Sequence, residues 1–109
     1  MTEDNTGHIV VFCTAKDTEE AERIGHTVVT ERLAACCNIL GGLKSIYTWK
    51  DKVMSESEAL CILKTRAELF DALASRIKEL HSYEVPEVIS VDISSGLKSY
   101  LGWIDEVTG

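Results

Sequence analysis

Sulfur and imidazole are the groups in this sequence best suited to bind a soft metal ion or act as nucleophiles, and they are few: Cys13, Cys36, Cys37, Cys61, His8, His26 and His81. The cysteines have neither CxxC spacing nor the density of a disulfide scaffold, so reduced thiols are expected. Cys36 and Cys37 are adjacent, and in an extended segment they point to opposite faces and cannot chelate one ion together. One is expected in the core and the other toward an interface or solvent. Cys61, between Leu60 and Ile62, reads as a packing residue. Cys13 ends an apolar run and admits two readings: a small hydrophobe filling core space, or a thiolate suited to Cu(I) or zinc. His81 closes a helical pattern, where the helix dipole favours its charged form and the ring can satisfy free carbonyls. Imidazole is equally a ligand for copper or zinc. His8, at a strand start, and His26, on the polar side of a helix, are expected on the solvated surface.

A second group, Trp49, Lys64, Tyr83, Glu84 and Glu87, clusters near strand ends and turns, where folds built on a scaffold of strands and helices place ligand pockets. A lysine on an apolar strand is costly to bury unpaired, so the plain expectation is an ion pair of Lys64 with a carboxylate such as Glu58. The functional alternative is an anion- or metabolite-binding crevice between subunits, with Lys64 supplying charge, Tyr83 a hydroxyl and Glu87 a carboxylate. The sequence offers no nucleophile–base–acid constellation, phosphate-binding glycine loop or closed metal motif, so an enzyme is not expected.

The elements that must position these groups follow from hydrophobic period. His8 to Cys13 is β-branched and apolar, which predicts a central strand. Asp17 and Glu20 make a capping-box-like start, and Ala21, Ile24, Val28 and Leu33 share one face of a helix over about 18–32. Ala34 to Trp49 predicts a long strand bent at Gly41-Gly42, a turn at Lys50-Asp51-Lys52, and a second long strand to Thr65 closing a hairpin. Thr65 with Glu68 reads as another capping box, before a helix carrying Leu69, Leu73, Ile77 and Leu80 and ending near His81. Pro86 stops helix continuation, Glu87 to Ile93 alternates as a fourth strand, and Gly96 to Val107 makes a short closing helix. The order β-α-β-β-α-β-α, with no linker, predicts an α+β ferredoxin-like β-α-β-β-α-β sandwich with a short C-terminal helix: one domain, 1–109, with an antiparallel sheet carrying both main helices on one face.

Composition bounds the partners. The 109 residues carry 11 Lys and Arg against 18 Asp and Glu, a net charge of −7, which lacks the basic footprint of a nucleic-acid or anionic-membrane binder. Apolar runs are far shorter than the roughly 20 residues of a spanning helix. The start Met1-Thr2-Glu3-Asp4-Asn5 has neither the basic nor the apolar part of a secretory signal, and a cytosolic, cytoplasmic location is expected.

Six segments in order and spacing, Phe12-Cys13-Thr14-Ala15, Leu33-Ala34-Ala35-Cys36, Ser45-Ile46-Tyr47-Thr48-Trp49, Ile62-Leu63-Lys64-Thr65, His81-Ser82-Tyr83-Glu84-Val85-Pro86-Glu87 and Tyr100-Leu101-Gly102-Trp103, closely resemble the CutA divalent-cation tolerance proteins over nearly the whole chain. The resemblance implies a ferredoxin-like subunit in a homotrimer, a role in tolerance of divalent metals such as copper, and no established catalytic reaction. It also implies a copper site at the cysteine after the first strand and two histidines ending the second helix. Here these positions hold Cys13 and Leu80-His81, so one histidine of the pair is present, and Ser82 stands where the family has proline. A metal bound by Cys13 and His81 needs further donors, such as water, Glu84, Glu87 or a neighbouring subunit. A second reading is a small-molecule sensor or adaptor resembling the PII signal-transduction proteins, with its ligand between subunits. A third is an enzyme with its site in the same crevice.

Overall fold

The computed structural model describes residues 5–109; the acidic start, up to Asp4, lies outside the described residues. Four strands and three helices follow in the expected order: β1 (His8–Ala15), α1 (Thr18–Thr30), β2 (Cys36–Trp49), β3 (Lys52–Arg66), α2 (Phe70–Leu80), β4 (Val88–Asp92) and α3 (Lys98–Thr108). The strands form one antiparallel sheet in the order β2-β3-β1-β4, so β1 is central and β2 and β4 are the edges. This is the expected α+β ferredoxin-like sandwich.

The strand alternation assigns the two faces. Odd positions of β1 and β3, namely Ile9, Val11, Cys13, Ala15, Ala59, Cys61 and Leu63, pack against Ala21, Ile24 and Val28 of α1 and Leu73 and Ile77 of α2. Even positions face the other way, and α3 covers one end of that face. Its Asp105 carboxylate lies 2.9 Å from His8 Nε2, while Arg66, the register partner of His8, donates to the Thr108 hydroxyl and carbonyl. His8 is therefore only 8% exposed, against the expectation of a solvated histidine. The helix that covers it belongs to a segment nearly a hundred residues away, which no local pattern reveals. His26 is exposed as expected.

Two local details also differ. Thr65 does not cap a helix: its hydroxyl donates to the Leu33 carbonyl, Glu68 pairs with Arg66, and a 3₁₀ turn, Ala67–Leu69, leads into α2. The core wanted this buried threonine tied across to the β2 side more than a cap at an exposed helix start. The hairpin turn uses Lys50 and Asp51 in the left-handed region, with φ of 52° and 65°. That geometry matches the twist of the flanking strands and sets Trp49 opposite Lys52, Tyr47 opposite Met54 and Ser45 opposite Glu56. A register shift between Leu40 and Leu43, with Gly42 at φ 73°, bends β2 where the two glycines lie. Because β1 pairs only with Ala59–Arg66, the hairpin beyond that point projects as a two-stranded ribbon.

The divergence of Cys36 and Cys37 holds. Cys36 Sγ lies 3.8 Å from the Tyr100 hydroxyl on the α3 side, and Cys37 packs toward α1. There Gly25 lets the helix approach β2 so closely that a Cβ would meet Cys37 Sγ at 2.9 Å. Gly25→Ala should gain up to ~1 kcal/mol of helix propensity but lose about 1–3 kcal/mol to overpacking. The expected net result, read by denaturant unfolding at fixed protein concentration, is destabilisation that Cys37→Ala in the same chain largely restores.

Candidate functional site

The segment between α2 and β4 carries most of the chemistry the sequence singled out, and a buried carboxylate fixes its position. Asp17 caps α1 by accepting the Glu20 N–H at 2.8 Å, the bond expected of the capping box. Glu20 does not complete the box. Its side chain, with the residue 1% exposed, takes the Lys16 N–H on one oxygen at 2.9 Å and the Ser82 N–H on the other at 2.8 Å. Burial pushes this carboxyl up, but the donated N–H groups of Lys16 and Ser82 outweigh it and hold it below the usual carboxylate range. The loop after α2 is thus tied to the start of α1.

His81 makes the second tie. Its side chain is fully buried; Nε2 lies 2.7 Å from the Thr14 carbonyl, and Nδ1 accepts the Tyr83 N–H at 3.0 Å. A carbonyl only accepts, so Nε2 carries the proton and the lone pair sits on Nδ1. The ring satisfies a carbonyl of β1, not of its own helix, whose Leu80 carbonyl is capped by Arg23. Cys13 Sγ is directed at the same Thr14 carbonyl, 3.6 Å away. Cys13 and His81 are therefore brought together on one atom. Cys13 is fully buried, and its contact with Cys61 followed by burial holds the thiol well above its usual range. All four cysteines are free thiols.

In front of Thr14, on the sheet face opposite Cys13, lies a pocket of about 640 Å³. It is walled by Tyr47, Trp49 and Met54 of the hairpin, by Glu56 and Glu58 of β3, and by Tyr83, Glu84, Val85 and Glu87. The Tyr47 hydroxyl donates to Glu56 at 2.7 Å and the Tyr83 hydroxyl to Glu58 at 2.6 Å. Both tyrosines are held above their usual pKa, Tyr47 chiefly by the Glu56 bond and Tyr83 by burial and then the Glu58 bond.

Of the residues expected to share a crevice, Trp49, Tyr83, Glu84 and Glu87 do so, and Lys64 does not. Lys64 sits opposite Cys36 at the far end of β3, where its ammonium donates to the Asn38 side chain. The expected Lys64–Glu58 ion pair is absent for the same reason: six residues along a strand are roughly 20 Å. Among the described residues no basic side chain lines this pocket, so within one chain it is anionic and lacks the Lys64 charge that the expected anion- or metabolite-binding crevice between subunits relied on.

Sequence reasoning passed over Glu20, Thr14, Tyr47 and Glu56. The hairpin register contained a signal for the last two, because the Lys50-Asp51 turn makes Tyr47 and Glu56 diagonal neighbours. Glu20 gave none beyond its cap position. Glu20→Gln keeps one acceptor and turns an amide toward a backbone N–H. It should cost about 1–3 kcal/mol and speed hydrogen exchange at the Ser82 amide while leaving that of Val11 in central β1 governed by global unfolding.

Comparison with known proteins bears on this arrangement. Residues 9–107 match the family model described as CutA1 divalent ion tolerance protein. A "Divalent-cation tolerance protein CutA" of Thermus thermophilus is 44% identical over 100 residues, covering 92% of this chain and 97% of that protein. A rice protein named "Protein CutA 1, chloroplastic" is 43% identical over 100 residues, and the match spans 92% of this chain but 56% of that longer protein. The chain thus covers about half the length of such plant relatives. The crystal structure of CutA from Xylella fastidiosa superposes with a TM-score of 0.93 at 38% identity, covering 95% of this chain and 100% of that one.

Proposed function

The chain belongs to the CutA1 divalent ion tolerance family, and from that premise we propose that it binds or responds to divalent metal ions, copper among them, as cargo held by Cys13 and His81. The observation that carries this reading is the convergence of the two side chains on the Thr14 carbonyl. Sulfur and imidazole are donors that copper prefers. Among the described residues no three His, Cys, Asp or Glu side chains stand together as a ready metal cage, so the pair supplies two donors and water or a second subunit the rest.

The present bonding makes such binding a response as well as a capture. Both Cys13 and His81 now give their protons to Thr14. A metal held there would displace the Cys13 proton to water and leave the imidazole proton on Nδ1, the atom that now accepts the Tyr83 N–H and lies 3.9 Å from Glu20. Tyr83 would then give way, and the loop that forms one wall of the pocket would move with it. The reading is of binding and response without turnover. A second mode, the PII-like sensor, is not favoured by this family membership.

We place the protein in the cytosol as a homotrimer. Four free thiols suit a reducing compartment, and among the described residues no helix is long and apolar enough to cross a membrane. The open sheet face displays Leu40, Ile89 and Val91, each more than half exposed, beside the half-buried Phe12, Leu60 and Ile62. A patch of this kind is covered in solution by other chains. The projecting ribbon offers its free backbone edge at 53–58 for pairing between copies, because Ala59–Arg66 are already taken by β1.

Sedimentation at micromolar concentration should give a single species of three chains, and a stable monomer would overturn the assembly. Calorimetric copper titration should show Cys13→Ser and His81→Ala each weakening binding by roughly tenfold or more. Unchanged affinity in both folded variants removes these residues from the metal reading.

A further inference from the structure

The pocket in front of Thr14 holds a charge imbalance that metal handling at Cys13 and His81 does not use. Glu58 is 7% exposed, and among the described residues its carboxylate has one partner, the Tyr83 hydroxyl on Oε2. Burying a carboxylate without an opposite charge is costly, and such groups are normally paired. Glu56 is likewise held by a neutral hydroxyl, and Glu84 and Glu87 add two further negative charges at the rim.

The walls restrict what can answer that charge. The acids do not group into a metal cage, and a hard divalent ion needs six or more oxygen ligands around it. Trp49, Tyr47 and Tyr83 instead present aromatic surface beside the carboxylates, and ring faces attract ammonium and guanidinium groups. The chain itself shows this: the Lys50 ammonium lies 5.9 Å from the Trp49 ring centroid. A volume of about 640 Å³ is that of a small-molecule site.

We propose that this pocket binds a small organic cation, an ammonium or guanidinium on a short apolar body, with the charged end at Glu58 and the body against Tyr47, Trp49 and Met54. The same chemistry could arrive as a free molecule or as a lysine or arginine of a second copy, and the proposal is for the free molecule.

The test titrates the protein in its native assembly with phenethylammonium and with agmatine, using 2-phenylethanol as the neutral match, by calorimetry. The ammonium should bind with a saturating isotherm, and the alcohol should bind at least about tenfold more weakly, as expected when one charge contact is lost. Glu58→Gln keeps an acceptor for Tyr83 and should weaken the ammonium by about tenfold or more with the assembly unchanged. Should that variant fail to fold, Glu84→Gln with Glu87→Gln, both at exposed positions, should still weaken it severalfold. Equal binding of the alcohol, no binding of either cation at millimolar concentration, or unchanged affinity in the folded variants overturns the proposal. So does loss of assembly in Glu58→Gln without any ammonium binding by the parent protein, which would make a neighbouring chain the occupant. Copper titration reads different residues, so failure here leaves the Cys13–His81 reading standing.

Discussion

The buried Glu20 carboxylate is the constraint on which the arrangement of the candidate site depends. A negative charge with almost no solvent contact survives because two backbone N–H groups, from Lys16 and Ser82, point at its two oxygens. Those donors belong to the turn before α1 and the loop after α2, so satisfying one side chain fastens two connections that the sequence leaves far apart. His81 extends the knot to β1 through the Thr14 carbonyl and back to the loop through the Tyr83 N–H. Remove the carboxylate, and the Ser82 end of the loop loses its tie, leaving Tyr83 and one wall of the pocket held only through His81 and Glu58.

From this knot the two sides of the sheet take different roles. On the helix side, Cys13 and His81 meet at Thr14 in a dry environment where every proton has a use. On the open side, the Thr14 side chain is part of a pocket floor, and the chain gathers carboxylates and aromatic rings without a basic residue. The net charge of −7 is therefore partly local in origin: four glutamates contribute to one concavity. A single strand end thus lies between a thiol–imidazole pair and an anionic pocket, and one imidazole touches both sides, with Nε2 at the Thr14 carbonyl and Nδ1 at the Tyr83 N–H. The long hairpin supplies the remaining wall, and its bulge and left-handed turn fix which side chains it presents there.

Periodicity and turn chemistry in the sequence determined the elements, their order and the faces of the strands. Alternation along 53–65 separated Cys61 and Leu63 from Leu60 and Ile62, and helical spacing identified Leu73 and Ile77 as core. These are local properties, since a strand repeats every two residues and a helix every 3.6, and a few neighbours suffice to reveal the period. The ordered motifs also sufficed for the family. What stayed hidden was every feature made by segments meeting from a distance. His8 looked solvated until α3 covered it, and Thr65 looked like a cap until it met the Leu33 carbonyl. Lys64 and Glu58 carried complementary charges on one face, yet the rise of a strand kept them apart. Glu20 had the right identity for a cap and acquired its main role only when Ser82 arrived. Tertiary structure alone decided the sign of the pocket, because the sum of charges at a place depends on which residues the fold assembles there, and burial then sets how strongly each must be answered.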